Sequence, residues 1–295
     1  MKAIIAQFLD HIAYERGLSR NTRAAYAADL DTFAIFLSAR GVRLLNAVTR
    51  QDLLAFLTDQ RRRNMAVATV ARRLVAVKVL FAYLQQEGLL DANVAATMTA
   101  PRLWRELPGI LAPTEIGRLI ESVAGDRALA VRDRAILEIF YGCGLRVSEV
   151  ASLRLDDVQF EGGFVRCTGK GDKQRVVPLG HCAAASLRRY LETVRPGCLK
   201  GRDTDRLFLS RRGGAFSRQG LYRLIVRHAR AAGISGRVTP HTLRHCFASH
   251  LLANGAQLRA IQEMLGHASI ATTQIYTHVD AGRLLAVHRR FHPRA

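Results

Sequence analysis

One proline-rich segment divides this sequence into two parts that cannot form a single continuous element. The stretch "APRLWRELPGILAP", residues 100–113, contains three prolines and one glycine. Each proline lacks an amide proton and restricts the residue before it, so the stretch cannot be a regular helix throughout. The residues on its two sides also differ in hydrophobic pattern. We therefore predict two domains, residues 1–100 and 111–295, joined by a linker at residues 101–110.

The first part has the pattern of a helical domain. Apolar residues recur at steps of three and four in "SRNTRAAYAADLDTFAIFLSARG" and in "AVATVARRLVAVKVLFAYLQQEG", which places them on one helix face. Thr49 opens "TRQDLLAFLTDQRRR", and Asp52 follows three residues later, which predicts a capping box. We therefore predict a helical domain whose core-facing residues are Tyr26, Leu30, Phe33, Leu37, Val70, Leu74, Val77, Phe81 and Leu84.

The second part mixes helices with a small sheet. Helical patterns include "RALAVRDRAILEIFYGCG" and "AAASLRRYLETV". Between them, "DDVQFEGGFVRCTGKGDKQRVVPLG" has short β-branched runs interrupted by Gly-Gly and by Gly-Lys-Gly-Asp, which is typical of antiparallel strands joined by turns. The predicted fold class is therefore mainly α with a small antiparallel β-sheet.

The charge of the chain favours a polyanionic partner. It has 44 Lys and Arg residues against 24 Asp and Glu, a formal net charge of +20. Nucleic acid is the first candidate, because neutralising its phosphates releases counterions. A basic composition inherited from a GC-rich genome is the alternative. The run Arg61–Arg63, with Arg72, Arg73 and Lys78, is either a DNA-contacting surface or a solvated helix face.

The cysteines indicate a reducing compartment, and the hydropathy predicts no membrane span. The five cysteines are odd in number and no two have CxxC spacing, so neither a disulfide framework nor a zinc knuckle is expected. The N-terminal "MKAIIAQFLDHIAYERG" is interrupted by Asp10 and His11 and has the pattern of an amphipathic helix rather than a signal peptide. There is no apolar run of about 18 residues, the minimum for a membrane span. We expect a cytoplasmic protein without a membrane partner.

The segment "VTPHTLRHCFASH" carries the strongest chemical signal. Thr239 followed by Pro240 predicts a helix start, which places His241 and Arg244 together at the first turn. The free amide groups of a helix start favour an anion. His241 and His245 also have the i, i+4 spacing of a zinc site, but the glutamate of the HExxH motif is missing and a guanidinium would repel a dication. A phosphate site is therefore favoured over zinc.

Three other segments contain residues of the same chemistry. In "CGLRVSEV", Arg146 begins a helix and Glu149 is placed to orient its guanidinium; in "GKGDKQR", Lys170 lies in a predicted hairpin turn. "IQEMLG" closes a helix at a C-terminal glycine, His267 follows directly, and Tyr276 comes in "TTQIYTH". Taken singly, these are equally compatible with a surface arginine, a solvated turn lysine and a core tyrosine.

As an ordered set, these residues resemble the tyrosine recombinase (phage integrase) family. The opening "LSRNTRAAYAADLDTFAIFL" is similar to the start of the family's core-binding domain, and the resemblance runs from about residue 5 to the C-terminus with no departure at a catalytic position. Within the family the chain most resembles the Xer recombinases. Three features resemble the XerD branch more than the XerC branch: the short length of the chain, the segment "FLSRRGGAFSRQ" and the final "HPRA".

The resemblance implies an architecture and a reaction. The architecture is a clamp of two domains, a helical SAM-like core-binding domain and an α+β catalytic domain. The reaction is site-specific DNA cutting and rejoining through a 3′-phosphotyrosyl intermediate, without cofactor or metal. The implied catalytic set is Arg146 and Arg244 as the phosphate clamp, His267 as a further donor, Tyr276 as nucleophile, His241 as general base and Lys170 as general acid.

The resemblance also implies partners. These are a double-stranded DNA recombination site, a second Xer-type recombinase that is XerC-like in a tetrameric synaptic complex, and a septal DNA translocase as activator. The biological role would be the resolution of chromosome dimers at cell division. The helix in "GRLLAVHRRFH" would dock on a neighbouring protomer or, alternatively, pack on its own domain.

Four alternatives stay open at this point. An integrase or resolvase of a phage, plasmid or mobile element would use the same chemistry. A type IB topoisomerase would have a similar active site. A catalytically silent DNA-binding relative would lack activity although the catalytic residues are present. A zinc hydrolase built on His241 and His245 would bind zinc. Independently of these, we expect Tyr276 to be held back in the free monomer, because a permanently active nicking tyrosine would be harmful.

Overall fold

The computed structural model describes residues 1–14, 20–98, 109–123, 125, 127–169, 174–266 and 278–295. The chain divides into two compact units, Met1–Arg105 and Glu106–Ala295. Most of the proposed linker lies outside the described residues, so its boundaries stay a prediction.

The described part of the first unit is helical, and its helices form where the sequence pattern places them. The predicted apolar residues of the second and fourth helices are buried, with Tyr26 only partly so. Thr49 caps the third helix as expected: its Oγ1 accepts from the Asp52 amide at 3.3 Å, and its own amide donates to Asp52 Oδ2 at 3.0 Å. The elements are α1 (Lys2–Tyr14), α2 (Arg20–Ala39), a 3-10 turn (Leu45–Ala47), α3 (Arg50–Arg62) and α4 (Val67–Gln86).

The cations beside the apolar face of α4 are partly used inside this unit. Arg72 Nη1 lies 3.2 Å from Oδ2 of the buried Asp29. Lys78 Nζ donates to the carbonyl of Met98 at 3.0 Å. Each of these two side chains therefore has a partner within the unit, and the choice between a DNA-contacting surface and a solvated helix face stays a prediction.

The described part of the second unit combines helices with one small sheet. Its three strands pair antiparallel in the order β1-β2-β3, with Cys167 opposite Arg175. This confirms the predicted fold class. The elements are α5 (Pro113–Glu121), α6 (Ala128–Gly142), α7 (Val147–Ser152), a 3-10 turn (Leu155–Asp157), β1 (Val158–Gln159), β2 (Phe164–Thr168), β3 (Gln174–Pro178), α8 (His181–Thr193), α9 (Arg195–Leu199), α10 (Arg218–Ala231), α11 (Pro240–Ala253), α12 (Leu258–Leu265) and α13 (His278–Phe291).

Helix α6 forms the centre of this unit. Ile136, Ile139 and Phe140 are fully buried, so the helix is covered by neighbours on several sides. Its buried charges are paired, as burial requires; Glu138 accepts from Arg294 Nε at 3.0 Å. Because α6 is held so firmly, the loop that follows it starts from a fixed position. No helix within the described ranges is long and apolar enough to cross a bilayer.

Helix α13 packs on its own unit in this single chain. Leu284 is fully buried, and His288 Nε2 donates to the carbonyl of Gly142 at 2.8 Å. His288 and His292 are both buried and their rings stack with centroids 4.6 Å apart. Of the two positions considered for the C-terminal helix, this is the one on its own domain.

Candidate active site

The first turn of α11 forms as its sequence predicts. Thr239 is the N-cap residue, its Oγ1 accepts from the Thr242 amide at 3.2 Å, and Pro240 occupies the first turn. This start places His241 at the exposed end of the helix, while Arg244, three residues on, is only 9% exposed. The helix start therefore leaves His241 exposed to solvent and places Arg244 in the interior.

The loop before α7 depends on a glycine. Gly144 has φ +57°, and a Cβ there would lie 2.4 Å from Phe247 Cδ1. Glycine alone allows both the left-handed backbone and this close approach. Its carbonyl accepts from Arg244 Nη1 at 2.7 Å. The loop that carries Arg146 is therefore packed directly against α11.

Glu149 links Arg146 to the rest of the site. Arg146 begins α7 with extended backbone, and its amide donates to Glu149 Oε2 at 2.7 Å, while its Nη1 donates to Oε1 at 3.0 Å. The expectation that Glu149 orients Arg146 is confirmed. The Arg146 side chain remains 38% exposed, whereas that of Glu149 is 3% exposed.

Glu149 also binds two other arginines. Arg175 on β3 forms a bidentate pair with it, Nη1 to Oε1 at 2.7 Å and Nη2 to Oε2 at 2.9 Å. Arg244 Nη1 lies 4.0 Å from Oε2. We refer to Arg146, Arg175 and Arg244 around Glu149 as the arginine cluster. One buried carboxylate thus sits among three guanidinium groups.

The arginine cluster is bound to the end of α12. Arg175 Nε donates to the carbonyl of Met264 at 2.8 Å, Arg244 Nη2 to that of Leu265 at 2.6 Å, and Arg146 Nη2 to that of Gly266 at 3.3 Å. Helix C-termini leave carbonyls unpaired and carry partial negative charge, so cations there are favourable. Each of three successive carbonyls therefore has its own arginine.

Gly266 ends α12 as the sequence predicts. It adopts φ +66° in the left-handed region, the conformation of a C-terminal helix glycine. A Cβ at this position would lie 2.9 Å from Arg175 Cδ. Glycine is therefore required both by the backbone and by the close approach of the arginine.

The protonation states follow from this arrangement. Burial acts to raise the pKa of Glu149, but hydrogen bonds and charge from Arg175, together with hydrogen bonds from Arg146, outweigh it, so the pKa lies below its ordinary value. Burial and the charges of Arg146 and Arg175 lower the pKa of Arg244 to about 10. At neutral pH the arginine cluster therefore holds three positive charges and one negative charge.

This arrangement suits an anion. A guanidinium has five N–H donors in total. The contacts among described residues use two donors each on Arg146 and Arg244. Donors remain on both groups, and Arg146 is accessible to solvent. The site can therefore bind the oxygens of a phosphate by charge-assisted hydrogen bonds.

The structure brings some of the predicted site residues together. Arg146 and Arg244 meet through Glu149 and the end of α12, and His241 lies in the first turn of the helix that carries Arg244. The three remaining predicted residues, Lys170, His267 and Tyr276, lie outside the described residues. The role of each predicted site residue therefore stays a prediction at this stage.

His250, a further histidine of α11, forms hydrogen bonds through both of its ring nitrogens. His250 Nε2 donates to the carbonyl of Leu111 at 2.9 Å, so its Nδ1, 2.8 Å from Tyr141 Oη, accepts from that hydroxyl. Both of its nitrogens therefore have partners, and His250 is a structural histidine. In the part of the chain that is described, no group of three His, Cys, Asp or Glu side chains is placed to hold a metal ion.

Sequence reasoning missed Arg175. The signal was available: in "QRVVP" the arginine alternates with Val177, and strand residues two apart share a face. Arg175 is 5% exposed and Val177 fully buried, so both point inward. An arginine on the apolar face of a strand requires a buried partner, and that requirement predicts a site even without knowledge of the fold.

Two family models and many curated proteins match this chain. The Phage integrase family matches residues 110–283, and the N-terminal SAM-like domain of phage integrases matches residues 5–88. The chain is 40% identical over 297 residues to the tyrosine recombinase XerD of Listeria monocytogenes serotype 4b, covering 100% of both chains. It is 41% identical over 291 residues to XerD of Pseudomonas aeruginosa, covering 99% of this chain and 97% of that protein.

Two solved structures of recombinases are also similar to this chain. The chain is similar to the XerH site-specific recombinase bound to a palindromic difH substrate in a post-cleavage complex, with a TM-score of 0.71 and 25% identity over 95% of this chain and 82% of that one. It is similar to the XerA recombinase with a TM-score of 0.51 and 29% identity over 100% of this chain and 99% of that one.

Proposed function

This chain belongs to the phage integrase family of tyrosine recombinases, and we propose that it is a Xer-type recombinase that cuts and rejoins DNA at the arginine cluster. Membership of this family implies the reaction, which is breakage and rejoining of DNA at a specific site. The convergence of Arg146 and Arg244 on Glu149 and on the end of α12 supports the proposed location of the site. His267, the next residue of the predicted set, follows α12 directly in the sequence.

The main obstacle to the reaction is charge. A phosphodiester is anionic and repels a nucleophile, and the charge on its oxygens grows in the transition state. Arg146 and Arg244 supply fixed, fork-shaped donors for the non-bridging oxygens. Arg244 is 9% exposed and therefore acts in an environment of lower dielectric than water, where such interactions are stronger. His267 would add a further donor.

The remaining groups handle the protons. Tyr276 Oη would attack phosphorus, and the bond from phosphorus to the 5′-oxygen would break, leaving a 3′-phosphotyrosine and a 5′-hydroxyl. A phenol of pKa about 10 must lose its proton to react near neutral pH. His241 would accept that proton, and Lys170 would donate one to the departing oxygen. One phosphoester replaces another, so the step conserves bond energy and needs no ATP.

The cellular role is a finer proposal. We propose that the chain works with a second, XerC-like recombinase in a tetrameric complex on a double-stranded DNA site, and relatives named XerD and XerC support such a pairing. We place it in the cytoplasm and assign it to chromosome-dimer resolution under a septal DNA translocase. A mobile-element integrase would use the same chemistry on a different site, so a panel of DNA substrates separates these roles.

A single gel tests the chemistry. The purified protein is incubated in EDTA with nicked duplexes that carry candidate recombination sites, and the products are separated under denaturing conditions. We expect a protein–DNA adduct with the wild type and none with Tyr276→Phe. Binding without any adduct, even after addition of a second Xer-type recombinase, would contradict the proposal. An adduct with Tyr276→Phe would move the nucleophile elsewhere.

A further inference from the structure

Arg175 is buried beside the proposed phosphate clamp and connects the elements that form it. Its guanidinium joins three elements: it lies on β3, forms both bonds of a fork with Glu149 on α7, and donates to the carbonyl of Met264 at the end of α12. It is 5% exposed, so it does not itself reach a DNA surface. Its contacts are directed at the groups that hold the proposed phosphate clamp.

The hydrogen bonds to Glu149 are complete only with Arg175. A carboxylate has about four acceptor sites. Oε1 accepts from Arg175 Nη1 and Arg146 Nη1, and Oε2 accepts from Arg175 Nη2 and the Arg146 amide. Arg244, at 4.0 Å, is left without a direct bond to Glu149. Arg175 thus fills the two sites that would otherwise draw other guanidinium donors inward.

The contact at α12 fixes the start of the following segment. The carbonyls of Met264, Leu265 and Gly266 are each held by one arginine, and Gly266 packs against the Arg175 side chain. His267 is covalently the next residue, and consecutive Cα atoms are about 3.8 Å apart. Any shift at the end of α12 therefore moves the point from which the chain continues to His267.

We propose that Arg175 is a positioning residue for DNA cleavage. It saturates Glu149 so that Arg146 and Arg244 keep donors for the scissile phosphate, and it fixes the end of α12 from which the nucleophile-bearing segment continues. This proposal rests on the proposed function, because it assigns the arginine cluster to phosphate. Only arginine fits the role, since lysine is a point charge without the planar fork and cannot hold both Glu149 oxygens and the Met264 carbonyl.

The test uses Arg175→Lys with Arg195→Lys as its matched control. Arg195 is 8% exposed in the same unit and donates to the carbonyls of Thr204 and Arg206 rather than to the arginine cluster. Both variants exchange a buried arginine for lysine, so both lose packing and hydrogen bonds. Melting temperatures measure that shared loss. Cleavage then separates the positioning role from simple destabilisation.

The readout is the single-turnover cleavage rate of a nicked duplex at saturating protein. Misplacing a reacting group by about 1 Å costs up to about 100-fold in rate. We therefore expect Arg175→Lys to cleave about 10- to 100-fold more slowly with DNA affinity within about twofold of the wild type, and Arg195→Lys to cleave at the wild-type rate per folded molecule. Equal slowing by the two variants would overturn the proposal.

Two modified substrates identify the step that is affected. A methylphosphonate at the scissile position removes the anionic oxygen, so the part of the defect that comes from the arginine clamp shrinks on it; an equal loss on both substrates would overturn the role of Arg175 in sparing donors for the phosphate. A sulfur in place of the 5′-oxygen leaves without protonation. If sulfur restored the rate of Arg175→Lys, the variant would act through the proposed general acid Lys170, five residues earlier in the sequence, and the proposal would be wrong.

Hydrogen exchange tests the restraint without catalysis. The Gly266 amide donates to the Glu263 carbonyl at 3.1 Å and reports on the last turn of α12. We expect its exchange to be faster in Arg175→Lys and unchanged in Arg195→Lys; unchanged exchange in both would overturn the proposal. A wild-type protein that binds DNA but fails to cleave it, even with a second Xer-type recombinase, would refute the proposed function, and the exchange measurement would still decide whether Arg175 holds α12.

Discussion

Replacing Glu149 by glutamine should destabilise the protein far more than the loss of an exposed carboxylate in an equally short ion pair. Glutamine keeps the shape of the side chain, but it removes the negative charge and turns one acceptor into an NH₂ group that faces guanidinium donors. Three buried or partly buried cations then lose their shared counter-charge. Removing one partner of a buried pair costs about 3–5 kcal/mol.

That range converts into a large thermal shift. For a unit of about 190 residues, 1 kcal/mol corresponds to about 2–4 °C in melting temperature, so we expect a decrease of about 6–20 °C. The sign of the pH dependence also follows. Because the folded-state pKa of Glu149 is lowered, its stabilisation is present above the unfolded value of about 4.3 and is lost as the pH falls through the folded value.

Asp205→Asn is the matched control. The pair Arg154–Asp205 has the same shortest N–O distance as Arg175–Glu149, 2.7 Å, but its side chains are 58% and 51% exposed. Exposed pairs contribute about 0–1 kcal/mol. Thermal unfolding of both variants at neutral pH, repeated across the acid range, measures the difference. Equal shifts, or a Glu149→Gln deficit that persists unchanged at low pH, would refute the argument from burial.

Three further outcomes are expected. Gly266→Ala and Gly233→Ala introduce the same left-handed backbone strain, at φ +66° and +65°, but only the first meets Arg175, so cleavage assays should show slowing for Gly266→Ala alone. Burial lowers the pKa of His288 to about 4, so its contribution to stability falls as the pH drops from about 6.5 towards 4. Urea unfolding at several pH values gives the slope of the unfolding free energy against pH, and His288→Gln should reduce that slope by up to about 1.4 kcal/mol per pH unit in this range. An unchanged slope would contradict the lowered pKa of His288. Arg244→Lys should lower the cleavage rate by about 10²–10³, with DNA binding measured in parallel; near-normal cleavage would remove Arg244 from the clamp.

Much of this protein is determined by local sequence pattern. The apolar spacing of α4 predicts its buried face, Thr49 and Thr239 predict helix starts, and Gly266 predicts a helix end. These signals are local because a helix face, a cap or a left-handed glycine depends on residues within a few positions of one another. The predicted catalytic residues likewise come from the order of motifs along the chain, and their roles stay a prediction.

The arginine cluster was decided by tertiary structure. Arg175 and Glu149 are 26 positions apart, Arg244 and Gly144 are 100 apart, and Arg146 and Gly266 are 120 apart. No periodicity spans such separations. The sequence could therefore assign Glu149 to Arg146, three residues away, but could not show that the same carboxylate also binds Arg175. Only the packing of β3, α7, α11 and α12 places one buried acid among three arginines, because burial makes each of these charges require a partner that the local chain does not provide.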